Sequence, residues 1–104
     1  MSSYSEAEAA LLAAIGAKCC VSATYNRRQM VLAPHAMFER NGARFLRAVT
    51  LELDGGKPRE TKLGTFNLAG LRDLQLTRKL FRPERELLST FPSNDAETLV
   101  AMVA

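Results

Sequence analysis

Metal-ligating and redox-active side chains are scarce in this chain of 104 residues, which has two cysteines, one histidine and no tryptophan. A structural zinc site needs about four Cys or His ligands at workable spacings, and these counts leave little for one. The cysteines are the adjacent pair Cys19 and Cys20. A disulfide between them would close a strained loop of no useful length. We therefore expect no disulfide framework, no metal and no cofactor.

Long hydrophobic runs and a basic leader are also lacking. The first eight residues contain two acids and no Lys or Arg, whereas a secretory signal begins with basic residues. The apolar run 9–17 is about half as long as a bilayer crossing requires. Two free thiols side by side suit a reducing compartment. The sequence predicts a cytoplasmic protein with no membrane partner.

What the chain does have is the composition of one small folded domain, with 47% apolar and 24% charged residues. We expect a single domain over 1–104, of class α+β and mainly β. It consists of an N-terminal helix at 5–16, a five-stranded, strongly bent antiparallel barrel at 19–81 and a helical tail at 83–104. Short strands with glycine kinks favour a half-open barrel of the Sm-like or SH3-like kind.

Local signals predict the first elements. Ser5 and Glu8 form a capping box ahead of an alanine-rich helix, and β-forming residues predict a strand at 19–25. Asn41-Gly42 favours a type I′ hairpin turn. It joins a second strand at 29–40, which Pro34 bends, to a third at 43–53.

The second half has weaker signals. Asp54-Gly55-Gly56 predicts another hairpin turn, and two further strands follow at 59–66 and 71–77. A short helix is expected at 83–88, and a last helix is indicated by the capping box of Asn94 and Glu97.

The modest net charge of +3 conceals an uneven distribution. Residues 18–82 hold thirteen basic and five acidic residues, a net of +8, whereas the flanks hold one basic and six acidic residues, a net of −5. A basic stripe on the strands would attract polyanions. Two other interpretations stay open: the cations solvate the outer strand faces, or the acidic flanks pair with the basic strands, within the chain or between copies.

No constellation of catalytic residues is visible. His35 has no local nucleophile or carboxylate and is interpreted as a hydrogen-bonded turn residue. Cys19 and Cys20 alternate faces of a strand, so we expect one of them to be buried and inert. We predict a non-enzymatic protein.

One order of segments is distinctive: a strand ending in Tyr25, then Val31-Leu32-Ala33-Pro34-His35-Ala36-Met37, the turn Asn41-Gly42, the return Ala43-Arg44-Phe45-Leu46-Arg47-Ala48, and later Thr65-Phe66-Asn67-Leu68-Ala69-Gly70-Leu71. This order resembles the WYL domain, a bacterial Sm-like or SH3-like barrel found in transcription regulators. The family's Trp-Tyr-Leu triplet corresponds here to Arg44-Phe45-Leu46, and Ala69 and Gly70 stand where the family has Asp and Arg.

The resemblance implies a regulatory module that senses a ligand or nucleic acid through a basic, partly aromatic surface. The regulators' helix-turn-helix module has no counterpart here, so we expect a stand-alone barrel. The first hypothesis is a module that binds single-stranded nucleic acid or a nucleotide-type ligand. The residues expected to bind it are Tyr25, Arg27, Arg28, Arg44, Phe45, Arg47 and Lys62.

The second hypothesis is a protein-interaction or oligomerisation module without a ligand. In that case the apolar residues of the C-terminal tail form the interface, to a partner protein or to a second copy of the chain. They are Leu99, Val100, Met102 and Val103.

Overall fold

The computed structural model describes residues 3–88 and 97–104, with side chains from residue 6 onward. Within this part, an N-terminal helix precedes six antiparallel strands, which confirms a mainly β fold but gives one strand more than the five predicted. The elements are α1 (Ser3–Ala17), β1 (Cys19–Tyr25), β2 (Arg28–Arg40), β3 (Ala43–Leu53), β4 (Leu63–Asn67), a 3₁₀ turn (Leu68–Gly70), β5 (Arg72–Leu80), α2 (Arg85–Leu88) and β6 (Thr98–Met102).

The described strands form one open sheet in the order β4-β3-β2-β1-β5, and β6 adds to β2. Neighbours along the chain are neighbours in the sheet from β1 to β4, as expected for strands joined by short hairpins. The strand β5 returns to pair with β1. No pairing joins β4 to β5 among these strands, and the barrel type stays a prediction.

The helix α1 covers one face of this sheet. Alanine has the highest helix propensity, and the buried residues Ala7, Leu11 and Ala14 recur at the spacing of a single helix face. This face contacts β1, β2 and β5. The main core therefore lies between α1 and the sheet, and it includes Leu32 and Leu46, which are fully buried.

Strand β2 changes its neighbour partway along its length. Its first residues pair with β1, up to Leu32, and its later residues, from Ala36 to Glu39, pair with β6 on the same edge. Between these segments the register against β3 shifts by one residue, between Pro34 and Ala36. The expected bend at Pro34 is therefore a β-bulge, where a residue without a backbone N–H costs no ladder hydrogen bond.

The last element is a strand, and the predicted helix after Asn94 is wrong for the described residues 98–102; Asn94 itself lies outside the described part. A helix this short is marginal without tertiary support. The free edge of β2 offers unpaired backbone groups that a strand can satisfy. Tertiary pairing thus overrides the local capping signal.

Other boundaries also moved. The fourth strand begins at Leu63 instead of 59. The fifth strand runs on to Leu80, and the short helix starts at Arg85 instead of 83. By contrast, β1 and β3 have the predicted bounds, and Asn41 and Gly42 both have positive φ, as a type I′ turn requires.

His35 lies in the bulge of β2, fully buried and in a strand, not in a turn. Its Nε2 accepts a hydrogen bond from the Glu84 backbone N–H at 2.9 Å. A backbone N–H only donates, so Nδ1 carries the proton and donates to the Ala33 carbonyl at 2.8 Å. The His35 carbonyl accepts from Val103 N–H, and Phe81 packs on the ring at 5.0 Å. His35 thus holds both C-terminal segments to the sheet, one through its neutral imidazole and the other through its backbone carbonyl.

Acid should weaken this attachment. Burial lowers the pKa of His35, although the Ala33 hydrogen bond and the nearby Glu84 carboxylate oppose the shift. The unfolded chain takes up a proton below about pH 6.5, whereas the folded chain resists it. We expect the free energy of unfolding, measured by urea denaturation, to fall by about 1 kcal/mol from pH 7.5 to 5.5.

The variant His35→Gln removes the titrating group, and its free energy of unfolding should lack this pH dependence whatever its absolute stability. An equal slope in the variant and the wild type would contradict the assignment.

Candidate functional site

The two central arginines of the predicted site, Arg44 and Arg47, form ion pairs with acidic side chains. Arg44 donates through Nε to Glu39 and through Nη1 to Glu8 of α1, both at 3.0 Å. Arg47 lies 3.5 Å from the carboxylate of Glu97, just before β6. The interpretation that acidic flanks pair with the strands therefore holds for both arginines, and this part of the stripe is neutralised within the chain.

Phe45 also makes its contacts within the chain. Its ring stacks on Phe38 with centroids 5.3 Å apart and an interplanar angle of 16°. The Arg40 guanidinium lies 5.0 Å from the centre of the Phe45 ring, and that of Arg47 lies 5.2 Å from the centre of Phe38. These stacked rings and guanidiniums form a half-buried cluster that holds β2 against β3.

Glu97 is a buried acid that sequence reasoning placed in a helix cap. Its side chain has no solvent exposure, and its Oε2 lies 3.5 Å from both Arg40 and Arg47. A buried carboxylate requires paired charge. Only the long-range pairing of β6 with β2 brings these groups together, so no local signal could have found them.

Tyr25, at the end of β1, packs against the end of β4 and the 3₁₀ turn that follows it. Its hydroxyl accepts a hydrogen bond from the Asn67 backbone N–H at 3.3 Å, and its ring meets the ring of Phe66 edge-on at 5.1 Å. On its other side the ring closely approaches Gly70, where an added Cβ would lie 3.0 Å from Tyr25 Cε1. Tyr25 therefore fixes the 3₁₀ turn against the end of β1.

The two predicted arginines at the turn between β1 and β2, Arg27 and Arg28, have different surroundings. Asn26 and Arg27 both have positive φ, 51° and 64°, the pattern of a type I′ turn. Arg28 donates to Asp54 at 2.8 Å, and this hydrogen bond, with a second from the Gln29 backbone, lowers the pKa of that carboxyl. Arg27 is exposed and has no ion pair with any described residue.

Lys62 is exposed just before β4 and is not brought to either group of arginines by any contact of the described residues. The predicted site thus divides into three parts. Arg44, Phe45 and Arg47 lie in the paired cluster on β3, Tyr25, Arg27 and Arg28 lie around the β1–β2 turn, and Lys62 lies in the β3–β4 connection.

The structure adds Arg72, which the sequence reading did not select. Arg72 is the first residue of β5 and pairs with Thr24 across the sheet, three residues before Arg27 in the turn. The two arginines line a cleft of about 460 Å³, together with Thr24, Asn26 and Gly70. We call this the basic cleft. No carboxylate of the described residues lines it, and Arg72 has no ion pair with any of them.

A second cleft of about 350 Å³ shares Thr24 with the first. It is lined mainly by hydroxyl, amide and carboxylate groups, and we call it the polar cleft. The side chains that matter for its chemistry are Ser22, Thr24, Gln29, Glu52, Asp73 and Gln75.

The cysteines have structural contacts. Cys20 is fully buried, as expected of one of the pair, and burial raises the pKa of its thiol, which disfavours the reactive thiolate. Cys19 is half-buried and donates its S–H to the Thr77 carbonyl at 2.6 Å.

Two features are absent from the described ranges, 3–88 and 97–104. No group of three or more His, Cys, Asp or Glu side chains is placed to hold a metal ion. No helix of these ranges has the length and apolar character needed to cross a membrane.

The ion pairs of Glu97 with Arg40 and Arg47 predict an effect on stability. Glu97→Gln removes the charge that offsets Arg47 in a half-buried position, and we expect a loss of about 1–3 kcal/mol in the free energy of unfolding. Urea denaturation at pH 7.5 measures this loss. The exposed Glu60→Gln is the matched control and should change stability by less than about 0.5 kcal/mol. Equal effects of the two substitutions would show that the Glu97 pairs contribute nothing.

Comparison with known proteins adds no relative to this picture. No protein-family model, no curated protein and no solved structure matches the chain. Its function is therefore argued from the site.

Proposed function

We propose that the protein is a non-catalytic, WYL-like regulatory module that binds a nucleic acid or a nucleotide-type ligand at the end of the sheet where β1 turns into β2. The observation that supports this most is the basic cleft, in which Arg27 and Arg72 face an open volume with no carboxylate in its lining.

The distribution of paired and unpaired cations favours this end of the sheet. At the other end, Arg44 and Arg47 are neutralised by carboxylates. An anion entering the basic cleft would meet two guanidiniums, which bind phosphate through several N–H donors at once. It would also meet the hydroxyl of Thr24 and the amide of Asn26, which supply hydrogen bonds without negative charge.

Further exposed cations lie near this end. Leu53, the last residue of β3, pairs with Met30 near the start of β2, and the exposed Lys57 and Arg59 follow in the connection to β4. A strand of nucleic acid bound at the basic cleft would have these cations along its path. The nearby acid Glu60 reduces the local excess of positive charge but does not line the cleft.

The fold is compatible with the resemblance that suggested this class. An N-terminal helix, five successive antiparallel strands in the order β4-β3-β2-β1-β5 and a bulge that bends β2 are what a half-open Sm-like or SH3-like barrel needs. Phe66, Leu68 and Leu71, which match apolar positions of the family's later segment, are all buried. The resemblance is thus carried by core positions, and it associates the module with transcription regulation.

The binding prediction uses two double variants of equal charge change. Arg27→Gln with Arg72→Gln removes both guanidiniums of the basic cleft. We expect it to weaken the binding of a 12-nucleotide single-stranded RNA at least about tenfold, because two phosphate contacts are lost. Fluorescence polarisation over a salt series measures the affinity, and the slope of log K against log salt should fall by about 1.4.

The control is Arg78→Gln with Arg82→Gln, two exposed arginines farther along β5 and beyond it. These substitutions remove the same charge without touching the basic cleft, so they should have a much smaller effect. If both double variants weaken binding equally, binding is a diffuse charge effect and the site is wrong. If the wild type does not bind the RNA at low salt, nucleic-acid binding is excluded and only the nucleotide-type ligand of the proposal is left.

A second candidate function is an interaction module without a ligand. Leu99, Val100 and Met102 are exposed on β6, with 37–44% of their surface accessible, whereas Val103 is buried against the sheet. The strand β6 pairs only with β2 among the described strands, so its outer edge offers backbone hydrogen bonds to another strand. A second copy of the chain could pair there.

Light scattering tests this candidate. If β6 forms a dimer interface, the wild type should have a dimer mass, and Leu99→Lys should shift it to the monomer mass because a charge is placed within the apolar contact. Thr98→Lys, which adds the same charge on the same strand, should have a smaller effect. A monomeric wild type at high concentration would contradict the candidate.

A further inference from the structure

The basic cleft and the polar cleft are neighbours that share one wall. Thr24, near the end of β1, lines both. The next strand, β5, contributes consecutive residues to the two: Arg72 lines the basic cleft and Asp73 lines the polar cleft. A ligand that enters both clefts would therefore meet a cation and an anion one residue apart.

This placement depends on a local irregularity of β5. The register against β1 shifts between Ser22 and Thr24, where two residues of β5, Asp73 and Leu74, oppose one of β1, Ala23. Asp73 lies in that interval with φ of 53°, in the left-handed region. A bulge re-aims the side chains beside it, and here it sends Arg72 and Asp73 to different clefts.

The polar cleft has the chemistry of a hydroxyl-binding surface. Ser22, Gln29 and Gln75 supply hydroxyl and amide groups, which both donate and accept hydrogen bonds. Asp73 supplies a carboxylate that has no ion pair with a described residue, whereas Glu52 lies 3.8 Å from Lys79. Carboxylates that accept hydrogen bonds from a sugar diol are a recurring way to recognise ribose.

We propose that the two clefts together bind a phosphate monoester that carries a vicinal diol, the ribose 5-phosphate portion of a ribonucleotide. The phosphate lies between Arg27 and Arg72, and the diol donates its hydroxyl hydrogens to Asp73. A terminal phosphate carries nearly two negative charges at neutral pH, and an internal phosphodiester carries one. Two guanidiniums in a cleft without carboxylates match the terminal group better.

This inference rests on the proposed function. It narrows the ligand from polyanions in general to a mononucleotide, whose ribose carries both a phosphate monoester and a free diol. The carboxylate of Asp73 makes the narrowing specific. A site that only attracts polyanions would bind better without this acid, because its charge repels phosphate. In the proposed site the acid raises affinity, provided that the phosphate carries a diol.

The test is an NMR titration of the full chain with three probes: ribose 5-phosphate, 2-deoxyribose 5-phosphate and inorganic phosphate. Ribose 5-phosphate should bind the wild type about tenfold more tightly than either of the others. Asp73→Asn should abolish that difference while the affinity for inorganic phosphate stays the same or rises. Asparagine adopts positive φ readily, so the substitution preserves the local backbone.

The controls separate charge from position. Glu60→Gln removes one exposed acid outside both clefts and should leave the preference for ribose 5-phosphate intact. Arg27→Gln with Arg72→Gln should weaken all three probes. If ribose 5-phosphate and inorganic phosphate bind the wild type equally, or if Asp73→Asn leaves the preference unchanged, the inference is overturned.

The two levels of the argument fail differently. If single-stranded RNA binding depends on Arg27 and Arg72 but the preference for ribose 5-phosphate is absent, the proposed function stands and this inference falls. If neither the RNA nor any of the phosphate probes binds, both fall.

Discussion

The structure depends on how the backbone N–H and C=O groups along one edge of β2 are paired. The strand has thirteen residues, and on that edge β1 covers its first part and β6 its later part. The change of partner occurs at the bulge that contains His35, whose ring and carbonyl bind Glu84 and Val103. Backbone groups buried without partners are costly. The C-terminal segment is therefore required by the sheet, and it becomes a strand despite its helix-capping sequence.

The same pairing decides where the charge of the molecule is free to act. By placing β6 beside β2, the fold brings the buried Glu97 to Arg40 and Arg47, while α1 brings Glu8 to Arg44. The cations at that end become part of the packing. Arg27 and Arg72, at the β1–β2 turn, face no such acid among the described residues. The internal ion pairs thus turn a broad basic region into a localised one.

Local sequence predicted what local chemistry determines. The turn Asn41-Gly42, strands β1 and β3 and the start of a helix near Ser5 follow from propensities and turn residues. The pair Arg44–Glu39 lies across that hairpin. The pair Arg47–Glu97 and the meeting of Arg27 with Arg72 could not be read this way, because they join residues that are distant in sequence. Only the return of β5 to β1 and of β6 to β2 brings these residues together. Of the predicted site residues, Arg27 lines the basic cleft, but no signal along the chain selected Arg72.

Gly70 connects one departure from the WYL pattern, which the sequence resembles, with the basic cleft. The family has an arginine at this position, yet here an added Cβ would lie 3.0 Å from the Tyr25 ring, closer than most real Cβ contacts. Tyr25 is fixed by Asn67 and Phe66, so it cannot easily move away, and a long side chain at 70 would have to displace it. The glycine instead forms a wall of the basic cleft, and the guanidinium comes from Arg72, two residues later. In the proposed WYL-like module, the positive charge of the anion site therefore comes from the first residue of β5, because Tyr25 packs closely against position 70.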